Sequence, residues 1–173
     1  GEVELLKEPS LIAGIQRRYP AALILGCSTA GEIQGTKVYD DSVVITALSF
    51  EKTKLQSAQV QLSKYPDSLT AGRELAQALN HKDLTHVLIF SVGLKVNGSE
   101  LVNGLREVLP TQITMTGGLA GDQARFCETL VISNAGVSND SVLAVGLYGP
   151  RIKVASASLG GWDSFGPERI ITK

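Results

Sequence analysis

Apolar residues recur along this chain in two rhythms. Leu11, Ile12, Ile15 and Tyr19 follow helical spacing after Ser10 as N-cap, and Pro20 stops them. The rhythm returns at Leu101, Val102, Leu105, Val108 and Leu109 after Ser99, closed by Pro110. Between these two, Pro66, with Asp67 or Ser68 as cap, opens a third helix whose buried stripe is Leu69, Gly72, Leu75, Ala76 and Leu79. Short apolar strands are predicted at 22–25, 86–92 and 113–115. Residues 43–50 and 142–148 are continuous apolar runs, the pattern of strands covered on both faces. Each leads through a short turn, 51–53 or 149–151, into an alternating segment. In one, Ala58, Val60 and Leu62 face Gln59 and Gln61; in the other, Ala155, Ala157 and Leu159 face Ser156 and Ser158. That alternation predicts half-exposed strands folding back as antiparallel hairpins.

The two rhythms are ordered as a repeat. Residues 11–32 lie over 101–122 at a constant offset of 90, matching Gly14 with Gly104, Pro20 with Pro110 and Glu32 with Asp122. Residues 41–60 lie over 140–159 at an offset of 99, matching Asp41-Ser42-Val43 with Asp140-Ser141-Val142. The expected fold is mixed α/β, with internally duplicated helix–strand–hairpin units and a largely antiparallel sheet flanked by helices. It reads as one domain over 1–173: a first repeat at about 10–62, a linking helix and strand at 66–92, a second repeat at about 99–160, and the start of a C-terminal connection at 161–173. The first copy has no counterpart of 66–92. The chain therefore reads as a fragment whose first sheet has an open edge, filled by strand addition from residues 2–6 or by dimerisation.

Composition narrows the partners. Hydrophobic residues make up 43% and charged residues 19% of the 173, a globular balance. Net charge is −1 and the sequence pI about 6.2, with Lys and Arg scattered, so nucleic acid and anionic membranes are not expected partners. No apolar run approaches the roughly 18–20 residues of a membrane span. The two cysteines, Cys27 and Cys127, form no CxxC pair and suit a reducing cytoplasm, with Cys127 expected as a small core hydrophobe; no metal site is expected.

Candidate chemistry gathers where the first predicted strand ends, at "GCSTAGE", residues 26–32. Three readings compete there. A nucleophilic Cys27 would need a base, and His81 and His86 are the imidazoles available; the aligned position holds Gly117 instead. A phosphate cradle would need GxGxxG or GxxxxGK[ST], and neither is present. A ligand pocket uses Gly26, Cys27, Ser28, Thr29, Gly31 and Glu32 with their counterparts Gly117, Gly118, Gly121 and Asp122. The hydroxyls donate and accept, the carboxylates meet an ammonium, and the glycine turns offer N–H groups to a carboxylate. Against it stands plain packing, in which Ala30-Gly31 and Ala120-Gly121 let the halves approach and the acids cap turns. Trp162, alone in "GGWDSFGP", reads as a pocket wall or a packing plug.

"LILGCSTAGEI", "DSVVITAL", "TGGLAGDQARF" and "GWDSFGPERIITK", in this order, resemble the N-terminal FIST domain over about residues 12–172. FIST denotes F-box and intracellular signal transduction. The resemblance implies a cytoplasmic, non-enzymatic sensory domain for a small ligand such as an amino acid. It also implies an output partner such as a histidine kinase or diguanylate cyclase. Two alternatives stay open: a haem-based nitric oxide sensor, for which His81, His86, Cys27 and the tyrosines are nominal ligands, and a ligand-free scaffold or adaptor. The cofactor is otherwise unknown.

Overall fold

The computed structural model describes residues 1–157, 160 and 166. Trp162 and the end of the second alternating segment, 158–159, lie outside them. Two helices open the chain, α1 (Val3–Lys7) and α2 (Pro9–Arg18). Strand β1 (Leu25–Cys27) follows, then a hairpin of β2 (Glu32–Gln34) and β3 (Lys37–Tyr39). Strand β4 (Lys54–Gln61), helix α3 (Ser68–Leu79), strand β5 (Leu84–Ser91) and helix α4 (Gly98–Val108) come next. Strand β6 (Thr114–Leu119), a second hairpin of β7 (Val131–Ser133) and β8 (Gly136–Ser138), and strand β9 (Ser141–Tyr148) complete the series. The fold is mixed α/β and mostly antiparallel, with the order helix, strand, hairpin occurring twice.

Strand β9 organises the largest sheet, whose order is β4-β9-β5-β6. Its apolar run is covered on both faces, and all but Leu147 of its residues are buried. β4 pairs with it antiparallel from Lys54↔Tyr148 to Gln61↔Ser141, and β5 pairs antiparallel on the other side. β5 also pairs in parallel with β6. Helices α3 and α4 pack together against this sheet, and the core includes Leu75, Leu79, Val87, Leu105 and Val142. A smaller core of Val3, Leu6, Ile12, Leu130 and Ile132 ties the two opening helices to the sheet β1-β7-β8. Among the described residues no helix is long and apolar enough to cross a membrane.

Several local expectations change. Residues 43–50 form no strand, and the predicted hairpin partner, β4, pairs with β9. Residues 149–157 likewise form no strand against β9. Residues 2–6 supply no substitute strand; they lie in and just before α1, where Glu2 accepts the Leu5 N–H at 2.9 Å as N-cap. Ser10 is inside α2, because Pro9 with its fixed φ takes the first turn. α4 is capped by Asn97 rather than Ser99, through the Glu100 N–H at 3.2 Å. Asp67 caps α3 through the Thr70 N–H at 2.7 Å, one of the two caps expected. Both short hairpins were missed, although Gly35 at φ +63° and Gly136 at φ +113° mark their turns.

Two glycines set the distance between α3 and α4. A Cβ on Gly104 would lie 2.0 Å from the Leu69 carbonyl oxygen, and one on Gly72 would lie 2.3 Å from that of Leu101. Gly14, at the position aligned with Gly104, has nothing within 4 Å. Gly104→Ala is therefore expected to cost about 1–3 kcal/mol through overpacking. Gly14→Ala is expected to stabilise by about 0.5–1 kcal/mol through helix propensity alone. Thermal melts of the two variants check this; equal effects would overturn the packing assignment.

Candidate functional site

The 26–32 turn follows β1 and meets the segment after β6. The Gly121 N–H donates to the Ser28 carbonyl at 3.0 Å, and Gly121 lies against Thr29 and Ala30. Ser28 is fully buried and works as a structural hub. Its N–H donates to the Leu130 carbonyl at 2.8 Å, and its hydroxyl accepts the Leu130 N–H at 2.9 Å. Of the small residues proposed from the second copy, Gly117 and Gly118 lie within β6 rather than in a turn. Gly117 is required there by close approach, since a Cβ would lie 2.0 Å from the Ile89 carbonyl oxygen.

The two acids have different tasks. Asp122, 3% exposed, is enclosed by its own loop: Oδ1 accepts the Phe126 N–H at 3.1 Å, and Oδ2 those of Cys127 at 2.7 Å and Glu128 at 3.0 Å. Those main-chain donors, Glu128 foremost, hold its carboxyl below the usual range. Glu32, also buried, is approached by movable groups. Its carboxylate accepts the Thr29 hydroxyl at 2.5 Å and the Ser42 hydroxyl at 2.8 Å, and the Gly1 amino nitrogen lies 3.3 Å away. Burial pushes this carboxyl up, and the two hydroxyls and that amino group outweigh it, so the net direction is down.

Glu32 lines a groove of about 1260 Å³. Gly26, Cys27, Thr29 and Gly31 line it too. The other walls come from α2, residues 21–25, residues 43–50 and β4, mostly apolar but with Thr46, Ser49, Ser57 and Asn134 among them. Gly117, Gly118, Gly121 and Asp122 are not among the lining residues, so the structure brings the two turns into contact but gives the groove only the first. Sequence reasoning missed the second wall, 43–50, because it read that run as a covered strand.

Nucleophilic chemistry is not assembled here. Burial pushes the Cys27 thiol up, away from the thiolate. Cys127 is exposed rather than a core residue, because the loop around Asp122 turns it outward. His86, 3% exposed, has Nδ1 within 2.7 Å of the Thr114 hydroxyl and Nε2 within 2.9 Å of that of Thr116. Both ring nitrogens are engaged across the β5/β6 ladder, and no imidazole lines the groove. Two of the nominal haem ligands therefore do not fit an axial role: His86 has no free nitrogen and Cys27 is biased to the thiol. Among the described residues no cluster of three or more His, Cys, Asp or Glu could hold a metal ion.

The family model of the FIST N domain matches residues 3–173. The chain belongs to the FIST N domain family. FIST domains are sensory domains of signal transduction. No curated protein matches the chain.

Acid should destabilise this FIST domain in two stages. Burial lowers the pKa of His86, so the unfolded ring takes up its proton first, near pH 6.5. Its contribution is full above about pH 6.5 and is lost as the pH falls below it. Asp122 and Glu32 are held below their ordinary values, so their contributions are full above about pH 4.3 and are lost below it. Melting temperature against pH checks this, with His86→Gln expected to flatten the upper stage. A wild-type melting temperature that is constant between pH 8 and 5 would overturn the role given to His86.

Proposed function

We propose that this FIST domain is a non-enzymatic, cytoplasmic sensory module that binds a small ligand such as an amino acid beside Glu32 in the groove. It passes that event to a signalling partner such as a histidine kinase or diguanylate cyclase. The observation that carries the reading is Glu32: a buried carboxylate, held charged by two hydroxyls, lining a groove of about 1260 Å³ whose other walls are mostly apolar. A charge so placed suits an ammonium group, and the N–H groups of the glycine turn suit a carboxylate. The apolar walls would take the ligand's side chain. Residues 43–50 and the 26–32 turn bound the same groove from separate segments, so a guest touching both would couple them. Family membership supports the sensory role, and the engaged His86 and protonated Cys27 speak against a nucleophile–base pair.

Amino acids screened one at a time by thermal shift test the reading. A true ligand at about 100 times its Kd adds roughly 2.7 kcal/mol to stability. Glu32→Gln, which keeps the size but removes the charge, should weaken binding by about 1.5–3 kcal/mol. Cys27→Ser should stay within about tenfold, or 1.4 kcal/mol. A screen without any shift, or binding indifferent to Glu32→Gln, would overturn the ligand. A turnover abolished by Cys27→Ser would overturn the non-enzymatic reading.

A further inference from the structure

We infer that the β2–β3 hairpin has a second position, in which it swings about residues 29–31 and adds β2 antiparallel to the free edge of β6. The largest sheet then runs β4-β9-β5-β6-β2-β3. The strand that fills the edge lies inside this chain, and the docking does not rest on the ligand proposed above.

Four observations lead there. First, the two hairpins are counterparts: Glu32–Gln34 and Lys37–Tyr39 fall on Val131–Ser133 and Gly136–Ser138 at the offset of 99. The second hairpin is laddered onto a strand of the other half, β7 on β1, with Ile132 opposite Gly26. The first, among the described residues, is laddered only onto itself. Second, the aligned residues Ile132 and Ile33 are 5% and 70% exposed, and Val38 stands out with Ile33 at 69%. Third, β6, which follows α4 as β1 follows α2, ends the largest sheet with its outer edge unpaired among the described residues. It reads Thr-Met-Thr-Gly-Gly-Leu, without the charge or the proline that guards an exposed edge. Fourth, the hinge is in place. Gly121 lies against Thr29 and Ala30, so the arm that leaves β6 touches the arm that enters β2.

The two edges also match in register. The Ala120 N–H donates to the Ser91 carbonyl at 2.7 Å, so by alternation Leu119 and Gly117 turn their main-chain groups away from β5, to the free edge. The Ser28 N–H donates to the Leu130 carbonyl at 2.8 Å, so Leu130 and Ile132 face β1. Their counterparts at the offset of 99, Gly31 and Ile33, face outward from β2. Setting the two rows together pairs Leu119 with Gly31 and Gly117 with Ile33. The second of these repeats the pair of Gly26 with Ile132. Two residues further on, the same register puts Gly121 beside Thr29, where the structure already has them. Docking buries Ile33 as Ile132 is buried. It also carries Glu32, the first residue of β2, away from the groove wall, so the position of the hairpin sets the shape of the groove.

A cysteine pair tests this in the 173-residue chain. In the docked register Gly118 stands opposite Glu32 as a non-hydrogen-bonded pair, with Cα atoms about 4.5 Å apart, where a disulfide can close. A Cβ on Gly118 meets nothing within 4 Å, so a cysteine fits there. Gly118→Cys with Glu32→Cys, in a background of Cys27→Ser and Cys127→Ser, is oxidised mildly with no ligand added. The expected result is a disulfide within the monomer, read on non-reducing gels and by peptide mass. Ile33→Pro removes a donor that faces away from β3 and should slow the cross-link at least about tenfold. Leu119→Pro removes the facing donor of β6 and should do the same, which keeps the test open if the first proline variant does not fold, as judged by circular dichroism. No cross-link, or one indifferent to both prolines, would overturn the docking. So would a cross-link formed only between chains, since a second copy would then be the cover. The test uses no ligand, so its failure leaves the amino-acid screen standing.

Discussion

Strand β9 carries main-chain ladders on both edges and apolar side chains on both faces, and the larger half of the molecule is arranged around it. Its neighbour β4 comes from early in the chain, and its other neighbour β5 comes from the middle. Closing these long loops costs chain entropy, offset by burying a run that reads Val-Leu-Ala-Val. Helices α3 and α4 then cover the sheet at a spacing set by Gly72 and Gly104. Each later feature, including the contact between the two glycine turns, inherits its position from that sheet.

The polar groups near the candidate site divide by the company they keep. Asp122 and Ser28 spend their hydrogen-bonding capacity on main-chain groups and hold loops in place. Glu32 meets the hydroxyls of Thr29 and Ser42 in the wall of a groove. A carboxylate saturated by rigid N–H donors has little to offer a guest, whereas one shared among hydroxyls can exchange partners. The same sequence motif, alanine–glycine–acid, therefore gives a structural loop in one half and a site candidate in the other.

Residues 43–50 matter to the functional reading through their place in the groove. They wall the groove that holds Glu32, and they are an apolar run without a ladder. A sensory domain needs an element whose order depends on what is bound.

The sequence by itself determined much of the local structure. Helical spacing placed α2, α3 and α4, and apolar runs marked what became β5 and β9, because these depend on neighbours three, four or two residues away. It also placed the glycine turn and the acid at its end. Partner choice was decided only by the tertiary structure. Residues 43–50 and 141–148 carry nearly the same apolar pattern, yet β9 gained two ladders and 43–50 gained none, since pairing depends on which edges are free in space. Glu32 and Asp122 occupy aligned positions, and no local pattern shows that Asp122 would be closed off by the loop that follows it. Exposure of Cys127 and the engaged ring of His86 were likewise decided by contacts across the sheets, which composition and periodicity do not encode.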